Sequence, residues 1–315
     1  MAPQLHSSVG VMSFALDRRK HLGDELTKVV RRELRKASRA LRNRTRMPVE
    51  AAIHESRKSV KKVRAAAALL ERAGAKLPRK DRKRLKAAGK ALSRLRDSAA
   101  IVATLDRVRR RYPKRLPETT YDVLHRALVN AQDQQGERAE RDGVAIEAAK
   151  ALRKARRSAK AWTPDSIGLP DLVEVVGDSY RRSRKAMERA RETGQSATLH
   201  RWRKALKTLW YQLRLARPLT TGVAPLIADL KRLETELGND HDLVVLGATV
   251  RACGELRPMR AAVREVDRLG ARIRQQLRRR AFNLGRRVQA RTPRGFTRWL
   301  RSAAMKQARR RLAAG

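Results

Sequence analysis

Apolar residues recur at spacings of three and four along nearly the whole chain, the mark of helices that each bury one face. The pattern predicts helices near 17–46, 49–73, 79–111, 118–157, 170–193, 197–217, 223–254 and 258–291. Breakers stand between them: Pro48, Gly74 to Pro78, Pro113 to Pro117, Thr163 to Pro170, Gly194, Pro218 to Pro225, Pro258 and Pro293. Thr163-Pro164-Asp165 together with Leu169-Pro170 forms the strongest boundary and divides the chain nearly in half. The expected organisation is a flexible N-terminus over 1–16, a first half over 17–163, a second over 164–292, and a basic C-terminal helix or tail over 293–315.

The two halves look alike when one is slid along the other by 146 residues. Ile53-His54-Glu55-Ser56-Arg57-Lys58-Ser59-Val60-Lys61 then falls on Leu199-His200-Arg201-Trp202-Arg203-Lys204-Ala205-Leu206-Lys207. On the preceding helix Leu34, Arg35, Arg39 and Leu41 fall on Tyr180, Arg181, Lys185 and Met187. A shift of 145 places Leu92-Ser93-Arg94-Leu95-Arg96-Asp97 on Leu237-Gly238-Asn239-Asp240-His241-Asp242. A repeat of this length is far longer than a solenoid unit. It reads as a duplicated four-helix domain, so an all-α fold of two bundles is expected.

Composition supports this. The chain has 315 residues, a length that suits two units of roughly 150. Hydrophobic residues make up 41%, which is enough for packed cores, while aromatics are only 3%, so those cores are built from Ala, Leu and Val. Scarce Tyr, Phe and Thr disfavour a β-rich fold. One cysteine, Cys253, excludes an internal disulfide framework and a Cys-rich metal site. No apolar run approaches the length of a membrane span, and residues 1–16 carry no secretory signal pattern.

Charge changes the picture most. Lys plus Arg number 77 against 31 Asp plus Glu, a formal net charge of +46, and 57 of the cations are Arg. Such an excess makes a compact chain repel itself, which a polyanion relieves. The Arg bias points to phosphate, because a guanidinium grips two phosphate oxygens at once. On the second helix of each half, Ile53, Val60, Val63 and Ala67, and likewise Leu199, Leu206, Leu209 and Leu213, share one core-facing stripe. His54, Arg57, Lys58, Lys61 and Arg64 share a neighbouring face, and His200, Arg203, Lys204 and Lys207 repeat it, with Tyr211 and Arg214 extending it. A solvated helix face normally mixes signs at i,i+4. This stripe has no acid within it and runs about 15 Å, enough to track several phosphates. A chance solvated face in an Arg-rich chain is the plain alternative, and recurrence of the same spacing in both halves argues against it.

These residues resemble the CHAD family, the conserved histidine α-helical domain. The resemblance rests on His-x-x-Arg-x-x-x-Lys-Lys-x-Arg at 54–64, His-x-x-Arg-x-x-x-Lys at 200–207 followed by Tyr211, and the Leu-Arg-Asp segment ending at Asp97. It implies two four-helix bundles related by pseudo-twofold symmetry around a central basic pore. It also implies binding of inorganic polyphosphate and association with polyphosphate granules in the cytoplasm. Carried over, His54, Arg57, Lys61, Lys62 and Arg64 are pore residues, with His200, Arg203, Lys207 and Tyr211 as counterparts. Lys58, Lys204, Arg214, Arg35, Arg39, Arg181 and Lys185 complete the expected polyphosphate-binding set. Thr208 and Trp210 stand where the first half has Lys62 and Arg64. Both histidines are expected to gain charge beside phosphate, so that binding strengthens as pH falls from 8 to 6.

No cofactor, metal or catalytic residue is expected. Asn239-Asp240-His241-Asp242 looks metal-like but lacks the ligand spacing, and Asp97 and Asp242 are expected to hold basic side chains or cap backbone. No Walker sequence appears, and the family's added triphosphate-cleaving barrel has no counterpart here. A binding module is therefore expected, not an enzyme. The rival reading is nonspecific DNA or RNA binding through Arg278-Arg279-Arg280 and Arg294 to Arg311. Membrane-surface binding by a C-terminal helix bearing Phe296, Trp299, Leu300 and Leu312 is a third.

Overall fold

The computed structural model describes residues 14–17, 20–42, 48–162, 164 and 166–313, apart from the side chains of 94–99, 139, 141, 311 and 312. Among them all regular structure is helical. The α-helices are α1 (Leu22–Arg42), α2 (Val49–Arg72), α3 (Arg79–Arg111), α4 (Glu118–Arg141), α5 (Val144–Ser158), α6 (Leu169–Thr193), α7 (Ser196–Ala216), α8 (Ala224–Ala252), α9 (Arg260–Val288) and α10 (Pro293–Leu312). Short 3-10 turns follow α5, α7 and α8.

Prolines set many of the starts. Pro48, Pro78 and Pro117 directly precede α2, α3 and α4, while Pro170, Pro225 and Pro293 lie in the first turns of α6, α8 and α10. Proline costs little there, because the first-turn N–H groups have no helical acceptor. The helix expected over 118–157 is broken in two. Gly143 adopts φ +60°, a left-handed conformation that ends one helix and lets the next begin. Of the segment over 293–315, expected as helix or tail, Pro293–Leu312 forms α10 and packs on α6. Residues 1–13 of the terminus expected over 1–16 lie outside the described residues; at its end Phe14 and Leu16 are buried, and the Leu16 N–H donates to Leu215 O at 3.2 Å.

Two apolar clusters hold the helices together. The larger draws on every helix except α4, with Leu26, Leu34, Leu69, Leu70, Leu206 and Leu213 fully buried. The smaller joins the C-terminal half of α3 to α4, the C-terminal half of α8 and α9. Both clusters take residues from either side of the Thr163–Pro170 boundary, so the two sequence halves do not enclose separate cores. Close approach also depends on glycine. A Cβ on Gly285 of α9 would stand 2.7 Å from Met187 Sδ and 2.8 Å from Trp202 Cζ2, so α9 settles on α6 and α7 only without one.

The helix pairings place the site. α2 packs on α3 and on α7, α7 on α8, and α8 on α3. These four contacts close a ring. α1 covers the outer side of α2 and α6 that of α7, while α5 lies on α1 as α10 lies on α6.

Candidate functional site

The stripe residues sit on α2 and α7, two members of the ring. The helices touch through small side chains, with Ala65 and Ala66 buried on α2. Buried Gln212 donates from Nε2 to Ala65 O at 3.4 Å, marking the contact. Nearby the two stripes act on each other, since Lys61 of α2 is among the charges that bear on His200 of α7.

On α2, His54 and Arg64 are exposed, and Arg57, Lys58 and Lys61 are partly buried. Arg57 reaches α3, donating from Nη1 to Ser93 O at 3.1 Å and Leu92 O at 3.4 Å. Lys58 pairs with Glu55 at 3.2 Å, and Glu55 also takes Lys36 of α1 at 2.9 Å. The hydrogen bond from Lys36, ahead of the Lys58 interactions, holds the Glu55 carboxyl down at about 2.

On α7, His200, Arg203, Lys207 and Arg214 are partly buried and Lys204 is exposed. Glu234 of α8 gathers three cations: Lys207 at 2.7 Å, Lys231 at 3.0 Å and Arg203 at 3.1 Å. Its carboxyl lies at about 2 although burial alone would raise it, because Lys207 first and then Arg203 and Lys231 favour the anion. Arg203 lies over Gly238, where a Cβ would stand 3.2 Å from its Nη2. Arg214 caps the ring of Trp210 at 4.7 Å, a cation–π contact.

His200 is the most perturbed member. Its ring centroid is 4.2 Å from that of His241 on α8, and its Nδ1 is buried with no hydrogen-bond partner. Burial, then His241, Lys204, Arg203 and Lys61, push the imidazole down to about 4. In the free protein His200 is therefore neutral between pH 8 and 6, so a gain of charge over that range depends on bound phosphate.

Two expected site residues lie off the stripe. Lys62 is turned into the core, where its Nζ meets Glu33 of α1 at 2.9 Å and lies 4.9 Å from the centre of the Phe14 ring. Ser59 and Ala66, one turn away on either side, are also buried, so this flank of α2 faces α1 and not the ring interior. Tyr211 is likewise buried, edge-on to Phe14 at 5.8 Å, and burial foremost raises its pKa. The α1 and α6 residues are also apart from the stripes. Arg35 and Arg39 are exposed and act on Arg156 of α5, Arg181 pairs with Asp178 at 2.6 Å, and Lys185 is exposed.

Sequence reading missed the acids Glu33 and Glu234 and the place of His241. Glu234 had a visible signal: it stands among Leu230, Leu233 and Leu237, where only a paired carboxylate is tolerated. Asp242 does hold a basic side chain, Arg107, at 3.7 Å, while the side chain of Asp97 lies outside the described residues. Arg278 and Arg280, part of the cluster considered for nucleic acid, are tied to Asp240 at 2.9 Å and Glu236 at 3.0 Å. No described helix is long and apolar enough to cross a membrane.

The chain resembles known proteins in sequence pattern and in fold. No curated protein matches it. Among solved structures it is similar to the CHAD domain from the plant Ricinus communis, with a TM-score of 0.64 and 20% identity over 88% of this chain and 94% of that one. The family model of the CHAD domain matches residues 74–251, more than half of the chain. The chain therefore belongs to the CHAD domain family.

Proposed function

We propose that the protein binds inorganic polyphosphate in a basic passage inside the ring of α2, α3, α8 and α7. Arg57, Lys61, Arg203, Lys204 and the two histidines are its main contacts. The observation that carries this reading is the meeting of the stripes: repeated cationic faces on α2 and α7 come within electrostatic reach of each other, as Lys61 and His200 are. Two dispersed surface faces would not interact in this way.

The chemistry follows from the ligand. Each internal phosphate carries about one negative charge, and guanidinium and ammonium groups replace its counterions, whose release favours binding. Arg57 and Arg203 are already oriented, one by α3 carbonyls and the other by Glu234, so less conformational freedom is lost on binding. Neutral His200 serves as a hydrogen-bond partner without adding charge. A pseudo-twofold relation between the halves is part of the proposal. The same pairings recur in each: α1 with α2 and α5, α6 with α7 and α10, α2 with α3, and α7 with α8. On this reading each half has five helices where four were expected. We further propose a binding module without catalysis that associates with polyphosphate granules.

The rival, charge-driven DNA or RNA binding, depends on exposed basic surface, and Arg278 and Arg280 are engaged by carboxylates. A competition assay separates the two. Polyphosphate and duplex DNA are titrated against wild type and the Arg57→Ala/Arg203→Ala double variant. Polyphosphate affinity is expected to fall roughly a hundredfold, as two charge-assisted contacts imply, with DNA binding little changed. Equal loss for both polymers, or unchanged polyphosphate binding, would reject the assignment.

A further inference from the structure

The outer face formed by α1 and α5 carries arginines that the central stripes do not use. Arg31, Arg35 and Arg39 follow one another at i, i+4 and i+8, so they line one side of α1 over about 12 Å. α5 packs against α1, and there Arg156 is partly buried beside this row. The charges acting on Arg156 are Arg35, Arg31, Arg157 and Arg39, all of one sign. Arg31 keeps a buried Nε with no hydrogen-bond partner. Among the described residues no carboxylate forms an ion pair with Arg31, Arg35, Arg39 or Arg156.

The matching face elsewhere behaves differently. Between α6 and α10 a cavity of about 290 Å³ is also lined by arginines, but Glu174 and Asp178 stand among them. Asp178 takes Arg181 at 2.6 Å and also Arg72, and Glu174 takes Arg301 at 2.5 Å. Arg181 and Arg301 of that face are thus paired with carboxylates, as no arginine of the α1–α5 row is, although Arg294 and Arg298 also line the cavity. Like charges one helical turn apart oppose folding, so the α1–α5 row imposes a cost that an external anion would relieve.

We propose that the α1–α5 face is a second polyphosphate-binding surface, which holds a distant segment of a long chain whose other segment occupies the central ring. The proposal rests on the polyphosphate reading of that ring. Two linked contacts act as one bivalent site: once the first segment is bound, the second is held at high local concentration. The surface therefore makes the protein selective for long chains. Tripolyphosphate cannot bridge the two places, because a helix with its side chains is about 10 Å across.

The test is calorimetric titration of the full chain with tripolyphosphate and with a polyphosphate of about a hundred units. The variants are Arg35→Gln/Arg39→Gln, both at exposed positions, and the triple variant with Arg156→Gln added. The triple variant is expected to lose about tenfold in long-chain affinity, to bind tripolyphosphate as wild type does, and to show a slope of log K against log salt shallower by about two. The exposed pair alone is expected to give an intermediate loss, so a folding defect from Arg156 cannot imitate the result. Unchanged long-chain affinity overturns the proposal, as does an equal loss for tripolyphosphate. Loss confined to duplex DNA, measured in parallel, also overturns it. If wild type binds neither phosphate probe, the central reading itself fails, a result distinct from all of these.

Discussion

The stripes on α2 and α7 have matching sequences but different surroundings. On α7, Arg203 and Lys207 share one buried carboxylate, Glu234. The 145-residue shift that aligns Leu92 with Leu237 places Gly89 opposite Glu234, so α3 offers no acid at that point. Arg57 turns instead to the carbonyls of Leu92 and Ser93, and the buried acid of the first half, Glu33, binds Lys62 on the opposite flank of α2. Both helices thus carry a buried Lys–Glu pair, but only on α7 does it involve the stripe. The α7 stripe is partly neutralised by an acid of the neighbouring helix α8, whereas on α2 the acid paired with the stripe, Glu55 with Lys58, comes from the same helix.

The difference can be broken by removing each lysine in turn. Lys62→Ala leaves Glu33 buried without its partner and is expected to cost about 3 kcal/mol in denaturant unfolding, with little change in polyphosphate affinity. Lys207→Ala is expected to cost only about 1 kcal/mol, because Arg203 and Lys231 still hold Glu234, and to weaken binding. If Lys62→Ala weakened binding as much as Lys207→Ala, Lys62 would belong to the site after all.

Neutralising the acid sharpens the comparison. Glu234→Gln frees Arg203 and Lys207 for phosphate and is expected to tighten polyphosphate binding roughly tenfold, the size of one partly screened charge, while lowering thermal stability. Affinity and stability then move in opposite directions. A fall in affinity would mean that Glu234 is needed to orient the cations more than it competes with the ligand.

The smallest effect concerns pH. His200 lies at about 4 when free, well below an ordinary imidazole. A bound polyanion favours its protonated form, so the linked gain in affinity appears only as pH falls toward its value in the complex. Affinity of a His54→Ala variant, which leaves His200 beside His241 as the histidine pair of the site, is expected to be flat from pH 8 to 6 and to rise below about 5. A rise centred near 6.5 would show that the ligand restores an ordinary pKa. The same depressed value means that folding loses stability as pH falls from the unfolded value near 6.5 toward 4, because the unfolded chain takes up the proton first.

Much of this architecture was legible in the sequence. Strong three-and-four periodicity and prolines at helix starts located the helices to within a few residues, and the wheel placed Arg57, Lys61, Arg203 and Lys207 correctly beside the core stripe. The break at Gly143 was not legible. Gly136 and Gly143 lie in the same polar stretch, yet α4 runs through the first and ends before the second, because only Gly143 takes positive φ. Lys62 entered the expected set through the family motif and not through the helical wheel, and the motif does not show that α2 buries a second face against α1. Its small buried neighbours Ser59 and Ala66 carried the signal of that second face. Partners in space, such as Glu234 for Arg203 or His241 for His200, depend on how α8 meets α7, which periodicity does not encode.

The most direct test is a crystal structure of the protein with a short polyphosphate. The account predicts phosphates inside the ring, within hydrogen-bond distance of Arg57 and Lys61 from α2 and of Arg203 or His200 from α7 along one continuous chain. Phosphates bound only to outward-facing arginines, with the space between α2 and α7 unchanged, would contradict it.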